Sequence, residues 1–175
     1  CQQYTMRDAM VAALTLDIFN SHCDRVVMAN IAQMVNVLQA VILTDGAKMI
    51  CTPTYHVFDL YKAHHDANYL PSAITCGECS GVKQLTATAS EKEGVITLTA
   101  TNTSCTDALD VVVHLSGASA KNVTARILTG DMHDKNTFED AEKVTVKPFD
   151  AVRMTETGLT MTLPACSVVE VTIRG

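Results

Sequence analysis

The hydrophobic pattern of this 175-residue chain changes period near residue 70, and that change limits the folds open to it. Before it the pattern is helical. Thr5-Met6-Arg7-Asp8 has the form of a capping box, and Met6, Met10, Leu14 and Ile18, with Val11 beside them, predict an amphipathic helix over residues 6–22. Residues 25–31 are a short apolar run, expected as a strand buried on both faces. Asp45-Gly46 lies between two apolar triplets and predicts a hairpin turn. Thr52-Pro53 then starts a second helix, with Thr as N-cap and Pro where its missing N–H costs nothing. Tyr55, Phe58, Leu60 and Tyr61 give that helix its apolar surface, and Pro71 closes the segment.

After the boundary, placed at residues 70–80, the period falls to two. Leu85, Val95, Leu109, Val123, Val144, Leu159 and Ser167 each begin a short run rich in Val, Ile and Thr, with turn residues between. Short strands at this spacing predict an antiparallel sandwich. The expected fold is therefore an α+β chain: helix, strand and helix over residues 1–70, then an all-β sandwich of jelly-roll type over residues 71–175. A parallel strand between helices needs strands on both its edges, and the first segment offers none. It is expected to be the end of a larger α/β unit. A first residue of Cys1 in place of Met fits that expectation of missing upstream sequence.

Composition excludes several functions. A net charge of −6 and a pI near 5.4 argue against a nucleic-acid clamp, which needs clustered Lys and Arg. Residues 26–43 are apolar enough to suggest a membrane span. Asn30, Gln33, Asn36 and Gln39 interrupt them, and each amide would need a partner in lipid, so a span is rejected. The same spacing fits a polar stripe on a helix, which leaves strand and helix open there. Trp is absent and aromatic residues are few, which weakens a stacking platform for sugars. Seven scattered cysteines fit a reducing compartment better than a disulfide framework.

Specific residues carry a family resemblance. Met6-Arg7-Asp8-Ala9-Met10-Val11-Ala12-Ala13, Asp24-Arg25-Val26-Val27-Met28-Ala29-Asn30-Ile31-Ala32-Gln33 and Leu43-Thr44-Asp45-Gly46 are three of them. Thr52-Pro53-Thr54-Tyr55-His56-Val57-Phe58-Asp59 continues the series, followed by Ile127-Leu128-Thr129-Gly130-Asp131-Met132, Asn136-Thr137-Phe138-Glu139 and Leu163-Pro164-Ala165-Cys166. In this order they resemble the family 51 glycoside hydrolases, the α-L-arabinofuranosidases. The resemblance implies a (β/α)8 barrel followed by a β-sandwich, with this chain supplying the barrel's last part and the sandwich. It implies that Gln33, just past residues 26–31, contacts a hydroxyl of the bound arabinofuranosyl unit. An amide suits that contact because it offers a donor and an acceptor in fixed geometry. It also implies a cytoplasmic protein that forms homo-oligomers and acts on arabinofuranosyl oligosaccharides without a cofactor.

Catalysis is expected elsewhere. Retaining glycosidases use two carboxyl groups roughly 5–5.5 Å apart, and the family's pair are glutamates on earlier barrel strands. No Glu precedes Glu78 here, so no catalytic residue is assigned, and the chain alone is expected to be inactive. Cys76-Gly77-Glu78-Cys79 has the spacing of half a zinc site or a redox pair, but no second such pair follows and neither metal nor redox use is expected. His56, His64 and His65 are expected to be surface or packing residues, and the sequons at Asn102 and Asn122 chance matches. Phe138 is expected to anchor a turn. The competing reading is a non-catalytic carbohydrate-binding or structural sandwich module.

Overall fold

The computed structural model describes residues 4–79 and 81–175, Cys79 by its backbone alone. The first helix forms as α1, Met6–Ser21. Its start is held by Asp8, whose Oδ2 accepts the Thr5 backbone N–H at 2.9 Å and the Thr5 hydroxyl at 3.3 Å. The buried face keeps Met6 and Met10 of the expected set but not Val11 or Ile18. Met6, Ala9, Met10, Ala13 and Asp17 turn inward, while Val11 and Ile18 are exposed. Ala9 and Ala13 let the helix approach its neighbours closely, so the inner face combines two methionines with small residues.

The hairpin forms as β1 (Ile42–Asp45) and β2 (Lys48–Cys51), turning at Gly46 with φ +56°. Next comes α2 (Pro53–Tyr61), with Pro53 at its first position. The Thr52 hydroxyl does not cap it. It donates to the Ala40 and Val41 carbonyls at 2.9 and 3.3 Å, tying the helix start to the preceding loop. Then follow β3 (Asn68–Leu70), β4 (Glu78–Cys79), β5 (Val82–Lys83), β6 (Leu85–Lys92) and β7 (Val95–Asn102). The remaining strands are β8 (Leu109–His114), β9 (Asn122–Thr129), β10 (Lys147–Pro148), β11 (Val152–Thr155), β12 (Gly158–Leu163) and β13 (Ser167–Arg174).

Two expected strands do not form. Residues 26–31 make no ladder, because no strand lies on either edge to accept their backbone groups. The helix–strand–helix expected of a barrel end is therefore two helices joined by irregular chain and the β1–β2 hairpin. Val144 is fully buried but lies in a loop, where Asn136 holds both its backbone groups at 2.8 Å. Pairing with β9 is made by β10 instead.

The rest is layered. A six-stranded antiparallel sheet, in the order β10-β9-β13-β7-β6-β3, faces a three-stranded sheet, β11-β12-β8. Leu98, Ile127, Val169, Val171, Leu159, Met161 and Leu163 fill the space between. The opposite face of the large sheet is covered by α1 and α2, where Met6, Met10, Val57 and Leu60 meet Leu128 and Val168. The large sheet is thus buried on both faces. Each fully buried Leu or Val contributes roughly 1.5–3 kcal/mol relative to exposure, so the helical half and the β half are stabilised together. No described helix is long and apolar enough to cross a membrane.

Double coverage explains the threonines. Alternation in β6 and β7 sends Leu85, Ala89, Leu98 and Ala100 to the inter-sheet core and Thr86, Thr88, Thr99 and Thr101 to the helix side. The Thr86 hydroxyl lies beside Asp17 and those of Thr99 and Thr101 beside Tyr61, whose own hydroxyl donates to Asp17 Oδ1 at 2.7 Å. His64 bridges Ser90 and Thr99 Oγ atoms at 2.7 and 3.0 Å, one ring nitrogen donating and the other accepting. A polar seam runs through the interior of the molecule.

Candidate functional site

Gln33 sits in the irregular stretch between α1 and β1, exposed, between the exposed Ala32 and Met34. Its position is fixed from one side. The Met34 carbonyl accepts the N–H groups of Val41 and Ile42 at 3.1 and 3.0 Å, and Val35 bridges in parallel to Ile42. Asn36 closes this clasp: its Nδ2 donates to Thr44 Oγ1 at 2.8 Å and its Oδ1 accepts the Thr44 N–H at 2.7 Å. The Tyr4 hydroxyl donates to the Val37 carbonyl at 2.7 Å. Asn36 and Gln39 both have left-handed backbone, at φ +54° and +60°, so no helix carries the polar stripe.

The clasp gives a direct test. Asn36→Ala removes two hydrogen bonds and places alanine at positive φ, with a local cost of about 1–3 kcal/mol. Hydrogen exchange at the Val41, Ile42 and Thr44 amides should accelerate at least ~10-fold while the β6–β7 amides hold their protection. Equal acceleration everywhere would mean the clasp is part of the global fold.

Asp59 and Glu170 are two carboxylates brought together on one arginine. Glu170 is committed to Arg126, which donates to it through Nε at 2.7 Å and to Asp59 of α2 through Nη1 at 2.9 Å. Glu91 accepts the Gly94 N–H in the β6–β7 turn. Asp17 is buried, and burial pushes its carboxyl up to about 6. A cavity of about 50 Å³ lies beside His64 and Ser90, too small for a sugar ring. Sequence reasoning missed this Asp17–Tyr61–His64 group, because nothing local distinguishes a helical Asp on the buried face from one on the exposed face.

The other candidates resolve individually. His64 is held in the seam, where burial lowers its ring to about 4, whereas His65 is exposed. Burial likewise lowers His56, a half-buried neighbour of Tyr55. Cys76 is free, its thiol donating weakly to the Leu85 carbonyl at 3.6 Å; the Cys79 side chain lies outside the described residues. No group of three or more His, Cys, Asp or Glu side chains among the described residues could hold a metal.

Asn102 is fully buried. Its amide donates to the Asp107, Leu163 and Pro164 carbonyls and accepts the Ser104 N–H, so it cannot carry a glycan. Asn136 likewise ties Cys51 to Val144, and Phe138 is half-buried at the turn beyond it. The sandwich holds a cleft of about 680 Å³ beside β8, walled by Leu85, Leu98, Val111 and Met161 and covered by residues 70–76. Ser72, Thr75, Asp110 and His114 also line it.

The class of protein defined by this fold is a helix-covered antiparallel β-sandwich domain with an anchored, solvent-facing amide segment. The description "Alpha-L-arabinofuranosidase C-terminal domain" belongs to the family model that matches residues 1–167, and the chain belongs to that family. It is 42% identical over 180 residues to an intracellular exo-alpha-L-arabinofuranosidase of Bacteroides ovatus, covering 99% of this chain and 35% of that protein. A family GH51 arabinofuranosidase structure from Xanthomonas axonopodis pv. citri superposes with a TM-score of 0.91 at 40% identity, over 99% of this chain and 36% of that one. A family 51 alpha-L-arabinofuranosidase from Bifidobacterium longum gives 0.89 at 28% identity, over 99% and 35%. The chain thus spans about a third of the length of these relatives.

Proposed function

We propose that this chain is the C-terminal part of a retaining α-L-arabinofuranosidase that removes terminal non-reducing arabinofuranosyl units from arabinan, arabinoxylan or arabino-oligosaccharides. The observation that carries this reading is the family match over residues 1–167, together with relatives named as arabinofuranosidases. Its catalytic glutamates lie outside these 175 residues. Residues 1–70 complete a (β/α)8 barrel built by upstream sequence, and residues 71–175 form the bracing sandwich. The exposed apolar side chains between α1 and β1 support that division: Val27 is 94% exposed and Met28 74%. In water such a surface costs free energy, and a barrel wall removes that cost. The complete protein is cytoplasmic, as the name of the Bacteroides relative suggests, and assembles as a homo-oligomer.

Gln33 is the residue of this chain that touches substrate. Its amide would hold one sugar hydroxyl as donor and acceptor, and that contact strengthens discrimination against sugars lacking the hydroxyl. The test is release of nitrophenol from an aryl α-L-arabinofuranoside. The 175-residue chain alone should show no turnover, and the chain joined to its upstream sequence should be active. In that complete enzyme Gln33→Ala should lower kcat/KM by roughly 10–100-fold. Turnover by the chain alone, lost on replacing one of its own carboxylates, would overturn the reading. Sugar affinity of the sandwich without Gln33 would instead favour a binding module.

A further inference from the structure

The connections β7–β8 and β12–β13 meet at one end of the sandwich, and each carries a cysteine. The Cys166 N–H donates to the Ser104 carbonyl at 2.8 Å. Bond lengths on either side of that link limit the Cα atoms of Cys105 and Cys166 to about 7 Å apart, within reach of a disulfide. The two thiols are unlike. Cys105 is exposed, with its Sγ 3.9 Å from Met132 Sδ, whereas Cys166 is buried at 1% exposure. Burial, and then the neighbouring Cys105 thiol, pushes Cys166 up to about 11. Both cysteines are free in this structure.

We propose that Cys105 and Cys166 are a redox-modifiable pair, closing reversibly to an intramolecular disulfide in the presence of a low-molecular-weight disulfide such as oxidised glutathione. The exposed Cys105 thiolate attacks one glutathione sulfur, forming a mixed disulfide and releasing the first glutathione thiolate. The Cys166 thiolate then attacks the Cys105 sulfur and displaces the second. Two protein thiols are oxidised to one disulfide, one glutathione disulfide is reduced to two thiols, and the two thiol protons pass to the leaving thiolates. Because burial disfavours the Cys166 thiolate, the second step is the slower, and the mixed disulfide on Cys105 accumulates transiently.

The closed bond staples the two inter-sheet connections and closes a loop of about 60 residues, which restricts the unfolded chain. Trypsin isolates each cysteine: residues 93–121 hold Cys105 alone and residues 154–174 hold Cys166 alone. After incubation of the full 175-residue chain with oxidised glutathione, non-reducing mass mapping should find these two peptides joined, two hydrogens lighter than their sum. The melting midpoint should rise by about 5–10 °C and fall back on adding dithiothreitol.

Cys105→Ser should abolish both the linked peptide and the shift. Cys166→Ala should leave a stable glutathione adduct on Cys105; if that variant does not fold, the exposed-site Cys105→Ser comparison still decides. A glutathione adduct persisting on Cys105 in the unsubstituted chain, a linkage to a different cysteine, or both thiols remaining alkylatable would overturn the proposal.

Discussion

Replacing Gly158 by alanine should cost the chain more than about 3 kcal/mol of stability, the size expected when backbone must move to relieve overlap. Gly158 opens β12 opposite His114 of β8, and a Cβ there would lie 2.0 Å from the Val113 carbonyl oxygen and 3.0 Å from its carbon. Neither atom can swing away like a side chain. Relief requires β8 and β12 to separate, and the next pairs, Leu159 with Val113 and Met161 with Val111, carry the inter-sheet core. Gly117 is the control. It has φ +77° but no atom within 4 Å of an added Cβ, so Gly117→Ala should cost only about 1 kcal/mol, from backbone conformation alone. Chemical-denaturation midpoints measure both. Equal, small losses would show that the β8–β12 edge yields, and that the three-stranded sheet contributes less than its burial suggests.

Asp17 and His64 should oppose one another in the pH dependence of stability. Burial raises the folded Asp17 carboxyl from 3.8 to about 6. Its contribution is therefore complete below about pH 4 and is lost as pH rises through 6, because the unfolded chain ionises first. Burial lowers the folded His64 ring from 6.5 to about 4. That contribution is complete above pH 6.5 and is lost as pH falls toward 4, because the unfolded chain takes up the proton first.

Between pH 4 and 6 the two slopes largely cancel, so either substitution exposes the other. Asp17→Asn keeps an oxygen for Tyr61 and should stabilise the chain at pH 7 on the order of 2–3 kcal/mol, raising its melting midpoint by about 5–10 °C. Its stability should then climb from pH 4 to 6.5. His64→Gln should show the reverse, a decline from pH 4 to 6. Parallel profiles for Asp17→Asn and the unsubstituted chain would show that Asp17 is ionised at an ordinary pKa, with water reaching the seam.

Much of this fold was legible because it rests on local rules. The capping box at Thr5, the Gly46 turn, the Pro53 helix start and most of the long strands lie where propensity, turn chemistry and periodicity agree. Where reading failed, the deciding partner was distant in sequence. The apolar run 25–31 was expected to be a strand, yet β structure needs neighbours and none lie beside it. Val11 and Ile18 were expected on the inner face of α1, but Ala9, Ala13 and Asp17 take that face beside Met6 and Met10.

The threonines mark the division most clearly. Alternation in Leu85-Thr86-Ala87-Thr88-Ala89 determines that these hydroxyls share one face of β6, since a strand's side chains alternate by geometry alone. Whether that face meets water or protein is not written in the segment. Two helices from the other end of the chain cover it, because only there can Met10, Leu60 and the sheet's Val168 leave water together. Periodicity set which residues stand side by side. Tertiary packing then enclosed the threonines with Asp17 and His64, and burial produced the perturbed ionisations.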